Sequence, residues 1–197
     1  MPELEKRIKS QAVELRETDP AISPGTLVGY AAVFNSWSEP LGFFREKIQP
    51  GAFTRSLNSS ASDVRALVDH NTGRVIGRTT AGTLRLSEND TGLQVEIDLP
   101  NTTDGRDLAE SVSRGDIDGM SFGFTVDQDS WAYLEADDKL DERTLEQISV
   151  FEVSAVTFPA YPDTSLAKRS WEEAKPEKSL TRVNLHRQRW KLLNIKP

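Results

Sequence analysis

The chain contains no cysteine, and its 197 residues include only two histidines and two methionines. Without a thiol it can form neither a disulfide nor a thiolate metal site, and it cannot use a cysteine nucleophile. It also has no apolar run near the roughly 20 residues that cross a bilayer. Its first residues contain no apolar stretch of signal-peptide length. We therefore expect a protein that needs no oxidising compartment, no membrane and no secretion signal.

Charge is unevenly distributed along the chain. The net charge is -7, yet residues 166–197 carry nine Lys or Arg against three Glu, which leaves -13 on residues 1–165. Affinity for nucleic acid comes largely from basic surface. The acidic body therefore argues against specific nucleic-acid binding, whereas the basic tail can bind an acidic partner.

Short β-like runs separated by turn residues dominate the first 165 residues. The clearest helix spans residues 104–114, with Thr103 or Asp104 as N-cap, Leu108 and Val112 on one face, and Gly115 as the stop. Many strands and few helices predict an α+β, mainly β fold: an antiparallel β-barrel, closed or nearly closed, surrounded by a few helices. We expect a flexible segment at 1–10, one domain at 11–165, and a linker with a basic amphipathic tail at 166–197.

The predicted strands and the short helix lie at the following positions. Strands are expected at 12–16, 26–34, 43–48, 64–70, 75–79, 83–87, 92–98, 120–127, 131–135, 143–148 and 150–158, and a short helix at 52–57.

Ser121 is a candidate nucleophile. Strand alternation places Ser121 and Gly123 on one face and the aromatic residues Phe122 and Phe124 on the other. Gly123 is expected to leave a shallow surface where a substrate backbone can approach. The same pattern also suits an ordinary strand with a polar outer face.

The surrounding residues, Gly119-Met120-Ser121-Phe122-Gly123, match the G-x-S-x-G nucleophile elbow of α/β-hydrolases. That elbow requires a strand, a sharp turn and a helix, followed by an acid and then a histidine. Here β-like residues continue past the serine, and the only later histidine is His186 in the tail. The α/β-hydrolase interpretation is therefore disfavoured.

A serine hydroxyl needs a base, and His70 is the candidate. It ends a run in which Val64, Ala66 and Val68 share its face. A partly desolvated histidine at a strand end suits general-base catalysis. The alternative is a core or rim histidine bonded to the main chain. A single histidine with scattered acids lacks the ligand cluster of a zinc site, so no metal is expected.

A third group would orient the imidazole and stabilise its protonated form. Glu152 is the candidate because it is the only charged residue in 148–158, with its neighbours Phe151 and Val153 expected to face the other way. A solvent-facing acid is an equal alternative for Glu152. Asp69, Glu146 and the hydroxyl of Ser154 remain competitors for the role.

Over residues 12–167 the chain resembles the prohead, or procapsid maturation, proteases of tailed bacteriophages. The matching segments follow in one unbroken order, which is more specific than any single motif. They are Gly29-Tyr30-Ala31-Ala32-Val33-Phe34-Asn35, Pro50-Gly51-Ala52-Phe53, Asp63-Val64-Arg65-Ala66-Leu67 with Asp69-His70-Asn71, Gly77-Arg78-Thr79 with Gly82-Thr83-Leu84, Gly105-Arg106-Asp107-Leu108, Gly115-Asp116-Ile117 through Ser121-Phe122-Gly123-Phe124, and Phe151-Glu152-Val153-Ser154 with Thr157-Phe158-Pro159-Ala160-Tyr161-Pro162.

This resemblance implies a serine endopeptidase without a cofactor and with the barrel fold of herpesvirus assemblins. His70 matches the family's catalytic histidine and Ser121 its nucleophile. Assemblins use a second histidine as the third member; this chain has none there, so Glu152 is our choice. Main-chain amides around residues 159–161 are the oxyanion donors expected by analogy.

The resemblance also implies a substrate and a place of action. The family acts in the host cytoplasm inside the immature capsid, where it removes the scaffolding part of the capsid protein precursor and often cuts itself. Self-cleavage is expected near residues 167–178. Because assemblins are activated by dimerisation, a homodimer is a further expected partner. The alternative function is a non-catalytic scaffolding or capsid-binding module that docks through the basic tail.

Overall fold

Strands dominate the computed structural model, which describes residues 13–17, 23–134 and 140–157 together with the main chain of residues 5–9. The prediction of a mainly β chain with few helices is confirmed. Over the described ranges the strands are β1 (Glu5–Lys9), β2 (Glu14–Arg16), β3 (Thr26–Val33), β4 (Phe44–Ile48), β5 (Arg65–Val68), β6 (Asn71–Arg78), β7 (Leu84–Glu88), β8 (Gly92–Asp98), β9 (Gly119–Ala132) and β10 (Asp141–Val156); the helices are α1 (Thr54–Leu57) and α2 (Thr103–Ser113), and Thr79–Ala81 forms a 3-10 turn.

The strands form two sheets. The first has the order β1-β9-β10-β5-β6, with β4 also paired to β10, and the second has the order β2-β3-β8-β7. The two sheets share no strand in the described part of the chain, so a closed barrel is not shown there and stays a prediction. Alternation along each strand indicates which face is buried, but it does not indicate whether a sheet closes on itself.

The expectation of purely antiparallel pairing is wrong for β10, which runs parallel to both β4 and β5. These two strands lie one after the other along a single edge of β10. The segment that contains α1 connects β4 to β5. Because both strands run parallel to β10, no hairpin joins either of them to it. Between them, Ile148 N–H donates to Ala52 O at 3.0 Å and Val150 N–H donates to Ser56 Oγ at 3.0 Å. This segment therefore accepts the main-chain hydrogen bonds of β10 between its pairings with β4 and β5.

The four strands expected over residues 120–158 are two long strands, β9 and β10, that form one antiparallel hairpin. Polar residues in the middle of each strand interrupt the apolar pattern, but main-chain pairing continues through them. Phe151 is the extra residue where the register shifts between Val150 and Glu152. Phe151 is 46% exposed whereas Val153 is buried, so the expectation that both share one face is wrong.

The core lies between the sheets. Phe122 and Phe124 stack with ring centroids 4.7 Å apart, and Phe53 packs edge-on against Phe122. The sheets approach closely beside β3, because a Cβ added to Gly29 would lie 3.4 Å from Met120 Sδ of β9. The polar face of β9, which carries Ser121 and Gly123, therefore lies on the side of the sheet opposite this core.

Helix α2 packs Leu108 and Val112 into the core, as predicted, and Gly115 follows its end with φ 78°. The N-cap is Thr102, whose Oγ1 accepts from Gly105 N–H at 3.3 Å. The predicted caps, Thr103 and Asp104, already belong to the helix because the extended backbone ends at Thr102. Among the described residues no helix is long and apolar enough to cross a membrane.

The N-terminal segment, predicted to be flexible over residues 1–10, is described only in the main chain of residues 5–9. There β1 pairs with β9 from Glu5 opposite Phe124 to Lys9 opposite Met120. Main-chain pairing needs no apolar alternation, so the charged sequence of this segment gave no strand signal. The expected linker and tail at 166–197 lie outside the described residues.

Candidate active site

His70 lies in the two-residue turn between β5 and β6, where Val68 is opposite Asn71. Both turn residues have positive φ, 50° for Asp69 and 55° for His70. Two-residue hairpin turns favour this conformation, although residues other than Gly, Asn and Asp adopt it reluctantly. The histidine is therefore held in a backbone conformation that the surrounding contacts have to stabilise.

Asp69 attaches this turn to the end of β10. Its N–H donates to Ala155 O at 2.9 Å, and its carboxylate accepts from Thr157 N–H at 2.7 Å and from Thr157 Oγ1 at 3.0 Å. The Asp69 carboxylate thus bonds Thr157 and not the imidazole. Asp69 was a competitor for the third catalytic position, but the partner of its carboxylate is Thr157.

Glu152 contacts the imidazole directly. Its Oε1 lies 2.6 Å from His70 Nδ1, and its Oε2 accepts from Ser154 Oγ at 2.6 Å. The side chains of Glu152 and His70 are 10% and 14% exposed. An ionised carboxylate only accepts hydrogen bonds, so in a pair with an ionised Glu152 the donor is Nδ1–H, and Nε2 is the imidazole nitrogen left to accept a proton.

Gly123 makes room for the Glu152 carboxylate. The two residues are opposite each other across β9 and β10, and a Cβ on Gly123 would lie 2.6 Å from Glu152 Oε1. The shallow surface expected above Gly123 is therefore filled by this side chain and is not open to a substrate backbone. The same Oε1 is 2.6 Å from His70 Nδ1, so the imidazole reaches over β10 toward β9.

Ser121 lies on β9 directly opposite Ser154 of β10, on the face that also carries Gly123. Phe122 and Phe124 point into the core on the other face, as strand alternation predicted. Ser121 is fully buried. It therefore shares a face with Glu152 and Ser154, and both of these bond His70.

His70 Nε2 is buried and has no hydrogen-bond partner among the described residues. The structure thus brings His70 and Glu152 into a hydrogen bond and places Ser121 on the same face, but it forms no Ser121 bond to Nε2. In unliganded enzymes such bonds are often long and tighten only when substrate is bound.

The other candidates lie elsewhere or have other partners. Glu146 accepts from Gln128 in an exposed pair nearer the hairpin turn of β9 and β10. His186 and the expected oxyanion donors at 159–161 lie outside the described residues. Within the described ranges no group of three or more His, Cys, Asp or Glu could hold a metal ion.

Sequence reasoning missed two contacts. Ser154 entered only as a competitor for the third position, yet its Oγ also accepts from His70 N–H at 3.3 Å. The clamp between Asp69 and Thr157 was not foreseen either. The strand predicted at 64–70 contains both Asp69 and His70, so the two-residue turn formed by them was not foreseen.

A family model described as caudovirus prohead serine protease matches residues 11–177. The chain belongs to this family. It is therefore a serine peptidase with a role in the maturation of phage capsids.

Two individual proteins extend the comparison. The prohead protease of Enterobacteria phage HK97 is 29% identical over 170 residues, which are 85% of this chain and 69% of that protein. The solved structure of the bacteriophage T4 capsid assembly protease, gp21, has a TM-score of 0.52 at 11% identity and covers 80% of this chain and 99% of that chain. At this identity the structural likeness shows a common fold.

Proposed function

We propose that the protein is a serine endopeptidase in which Ser121 is the nucleophile, His70 the general base and Glu152 the acid that orients the imidazole. One observation carries this proposal. The Glu152 carboxylate lies 2.6 Å from Nδ1, and the buried Nε2, which has no hydrogen-bond partner among the described residues, belongs to an imidazole bonded to the polar face that Ser121 shares. Acyl transfer by a serine uses these three groups: the serine as nucleophile, a base that takes its proton, and an acid that orients the base.

The reaction begins when His70 Nε2 removes the proton of Ser121 Oγ as this oxygen attacks a peptide carbonyl. The imidazolium that forms is stabilised by Glu152 through Nδ1–H. His70 then gives its proton to the leaving amine, which departs and leaves an acyl-enzyme. Water, deprotonated by the same Nε2, releases the acyl group and restores Ser121.

The tetrahedral intermediate also needs donors for its oxyanion. The amides near residues 159–161 are our candidates, because they follow β10 and the Asp69 clamp on Thr157. Pro159 has no N–H, so Ala160 and Tyr161 are the two donors that we propose.

The substrate that we propose is the capsid protein precursor or its scaffolding part, cut inside the assembling procapsid in the host cytoplasm. The HK97 relative is a prohead protease and the T4 neighbour a capsid assembly protease, which supports this choice. We also propose self-cleavage within residues 167–178, between the domain and the basic tail.

Three structural proposals accompany this function. Residues 11–165 form the protease domain, its two sheets form an assemblin-like barrel, and two copies associate. The barrel proposal starts from the close approach of Met120 to Gly29, which brings the two sheets into contact, as a barrel requires. Limited proteolysis of the full chain tests the domain boundary, and cuts spread through residues 11–165 would refute it. Sedimentation tests association, and a monomer at working concentration would refute the dimer.

Coexpression of the full chain with the capsid protein of its own phage tests the function. We expect trimmed capsid protein with the wild type and none with Ser121→Ala or His70→Ala. Ser149→Ala is the matched control, because this serine lies on β10 and donates to Asp127 at 2.7 Å, outside the proposed triad. Normal trimming by Ser121→Ala would refute the proposal.

A further inference from the structure

We propose that Ser154 is a positioning residue of the reaction, whose hydroxyl holds both the Glu152 carboxylate and the main chain of His70. The inference rests on the proposed function, because it takes His70 as the base. It assigns a distinct role to a side chain that touches neither the nucleophile's oxygen nor the imidazole ring in the contacts described above.

The position of Ser154 is central. It is fully buried on β10, with Ser121 of β9 opposite it on one side and Leu67 of β5 on the other. Its hydroxyl has one hydrogen and two lone pairs. The hydrogen goes to Glu152 Oε2 at 2.6 Å, and a lone pair accepts from His70 N–H at 3.3 Å. One side chain thus connects the acid and the backbone of the base.

The bond to Glu152 fixes the rotation of the carboxylate. Glutamate has three side-chain torsions, and the last is broad, so a single contact at Oε1 does not define the plane of the group. With Oε1 bonded to Nδ1 and Oε2 bonded to Ser154, both oxygens are fixed. Hydrogen bonds to a charged acceptor are strong and short, and burial strengthens them further.

The hydrogen bond that Ser154 Oγ accepts from His70 N–H holds the turn that carries the imidazole. His70 has φ 55°, a conformation that costs free energy for a residue with a Cβ. Asp69 attaches one side of this turn to Thr157 and Ala155, and Ser154 holds the other. Without the second contact the turn is free to rotate the imidazole away from β9.

A purely structural serine would affect folding alone, whereas a positioning serine affects the reactivity of Ser121. We therefore compare Ser154→Thr with Ser154→Val in the full chain. These two replacements have the same shape and differ only in the hydroxyl, so any strain from the added methyl is common to both. The probe is a fluorophosphonate, which loses fluoride as Ser121 Oγ bonds to phosphorus.

We expect the Val variant to be labelled about 10- to 100-fold more slowly than the Thr variant, by analogy with the loss of a hydrogen-bond partner that orients a metal ligand. Ser149→Ala should be labelled at the wild-type rate. The Nδ1 proton should give a low-field NMR resonance in the Thr variant that is lost to exchange in the Val variant. Assignment is simple because the chain has only two histidines.

Equal labelling rates for the Thr and Val variants would overturn the role of Ser154 while leaving the proposed function intact. Labelling that persists in Ser121→Ala would instead refute the proposed function, and this inference with it. If the added methyl unfolds both variants, Ser154→Ala against Ser149→Ala makes the same comparison, and equal rates there would count against the role.

Discussion

The two ends of the β9 and β10 hairpin both bury ionisable side chains, but only the far end has a buried imidazole nitrogen without a hydrogen-bond partner among the described residues. Near the hairpin turn, Arg143 Nε lies 2.6 Å from Asp129 Oδ2 and Arg143 Nη1 lies 3.3 Å from Glu46 Oε2. The same guanidinium covers the ring of Trp131 at 5.3 Å. At the far end, Glu152 binds His70 and Ser154, and within the described ranges the other imidazole nitrogen, Nε2, has no partner.

Two buried polar side-chain atoms have no hydrogen-bond partner in the described part of the chain, and they differ in kind. Arg45 Nε belongs to a guanidinium that lies 4.4 Å from the ring centre of Trp37 and pairs with Glu142. Its charge is thus compensated by a ring face and a carboxylate. In the mechanism that we propose, His70 Nε2 instead offers a lone pair that can take a proton. On that proposal the hairpin-turn end serves stability, and the far end serves reactivity.

The largest expected effect comes from Glu152→Gln. It keeps the shape but removes the charge that selects the Nδ1–H tautomer and stabilises the imidazolium, so labelling and trimming should fall about 10⁴-fold, as in related triads. The labelling rate constant measures this. Glu146→Gln on the same strand is the control, because its carboxylate bonds only the exposed Gln128 among the contacts described. Unchanged reactivity of Glu152→Gln would move the orienting role to another group.

The next effect is on stability. Arg143→Met leaves the buried Glu46 and the partly exposed Asp129 without their cation, so the free energy of unfolding should fall by about 3 to 5 kcal/mol. The labelling rate of the folded variant should not change. Urea unfolding measures the free energy of unfolding, and fluorophosphonate labelling measures the reactivity of Ser121.

Arg74→Met is the matched control for that change. Arg74 pairs with Asp104 in a contact where the side chains are 36% and 41% exposed, so its loss should cost less than about 1 kcal/mol. If Arg143→Met and Arg74→Met lost the same free energy of unfolding, burial would not determine how much these two ion pairs stabilise the protein. Slower labelling of folded Arg143→Met would show that the two ends of the hairpin are coupled.

Gly123→Ala should lower the labelling rate about 10- to 100-fold, with a smaller effect on folding. Its Cβ would lie 2.6 Å from Glu152 Oε1 and push the carboxylate off the imidazole. Gly119→Ala is the control on the same strand, because its Cβ would come no closer than 3.7 Å to another residue. If both variants react alike, the close approach at Gly123 has no role in reactivity.

The smallest effect is expected on the second sheet. The hydrogen bond from Arg85 lowers the pKa of Asp98 below its usual 3.8. Because the folded pKa is depressed, this pair stabilises the protein above pH 3.8 and loses its contribution as the pH falls through the folded pKa. Asp98→Asn should therefore cost less than about 1 kcal/mol at pH 7.

That cost should shrink on acidification. Urea unfolding of the wild type and Asp98→Asn at pH 7 and in acid provides the comparison. A difference that grows as the pH falls would contradict the assigned direction of the pKa shift.

The sequence predicted local features well. Alternation placed Ser121 on the polar face of its strand, and the spacing of Leu108 and Val112 located α2. These features depend on side chains a few residues apart, which is the range that periodicity samples. The role of Glu152 stays a prediction, although the contact with His70 agrees with it.

Features that depend on distant main-chain pairing were not predictable in this way. The parallel pairing of β10 with β4 and β5, the register shift at Phe151 and the pairing of β1 are set by partners far along the chain. The same limit applies to Ser154, whose bond to His70 spans 84 residues. A buried serine looks identical in the sequence whether or not it bonds a histidine.

The site of covalent modification by a fluorophosphonate tests the central claim most directly. Peptide mass spectrometry of the labelled full chain should find one phosphonyl group, on Ser121, in the wild type and none in His70→Ala. Modification of a different residue would contradict the account. An unmodified Ser121 in a chain that still trims its capsid protein would contradict it equally.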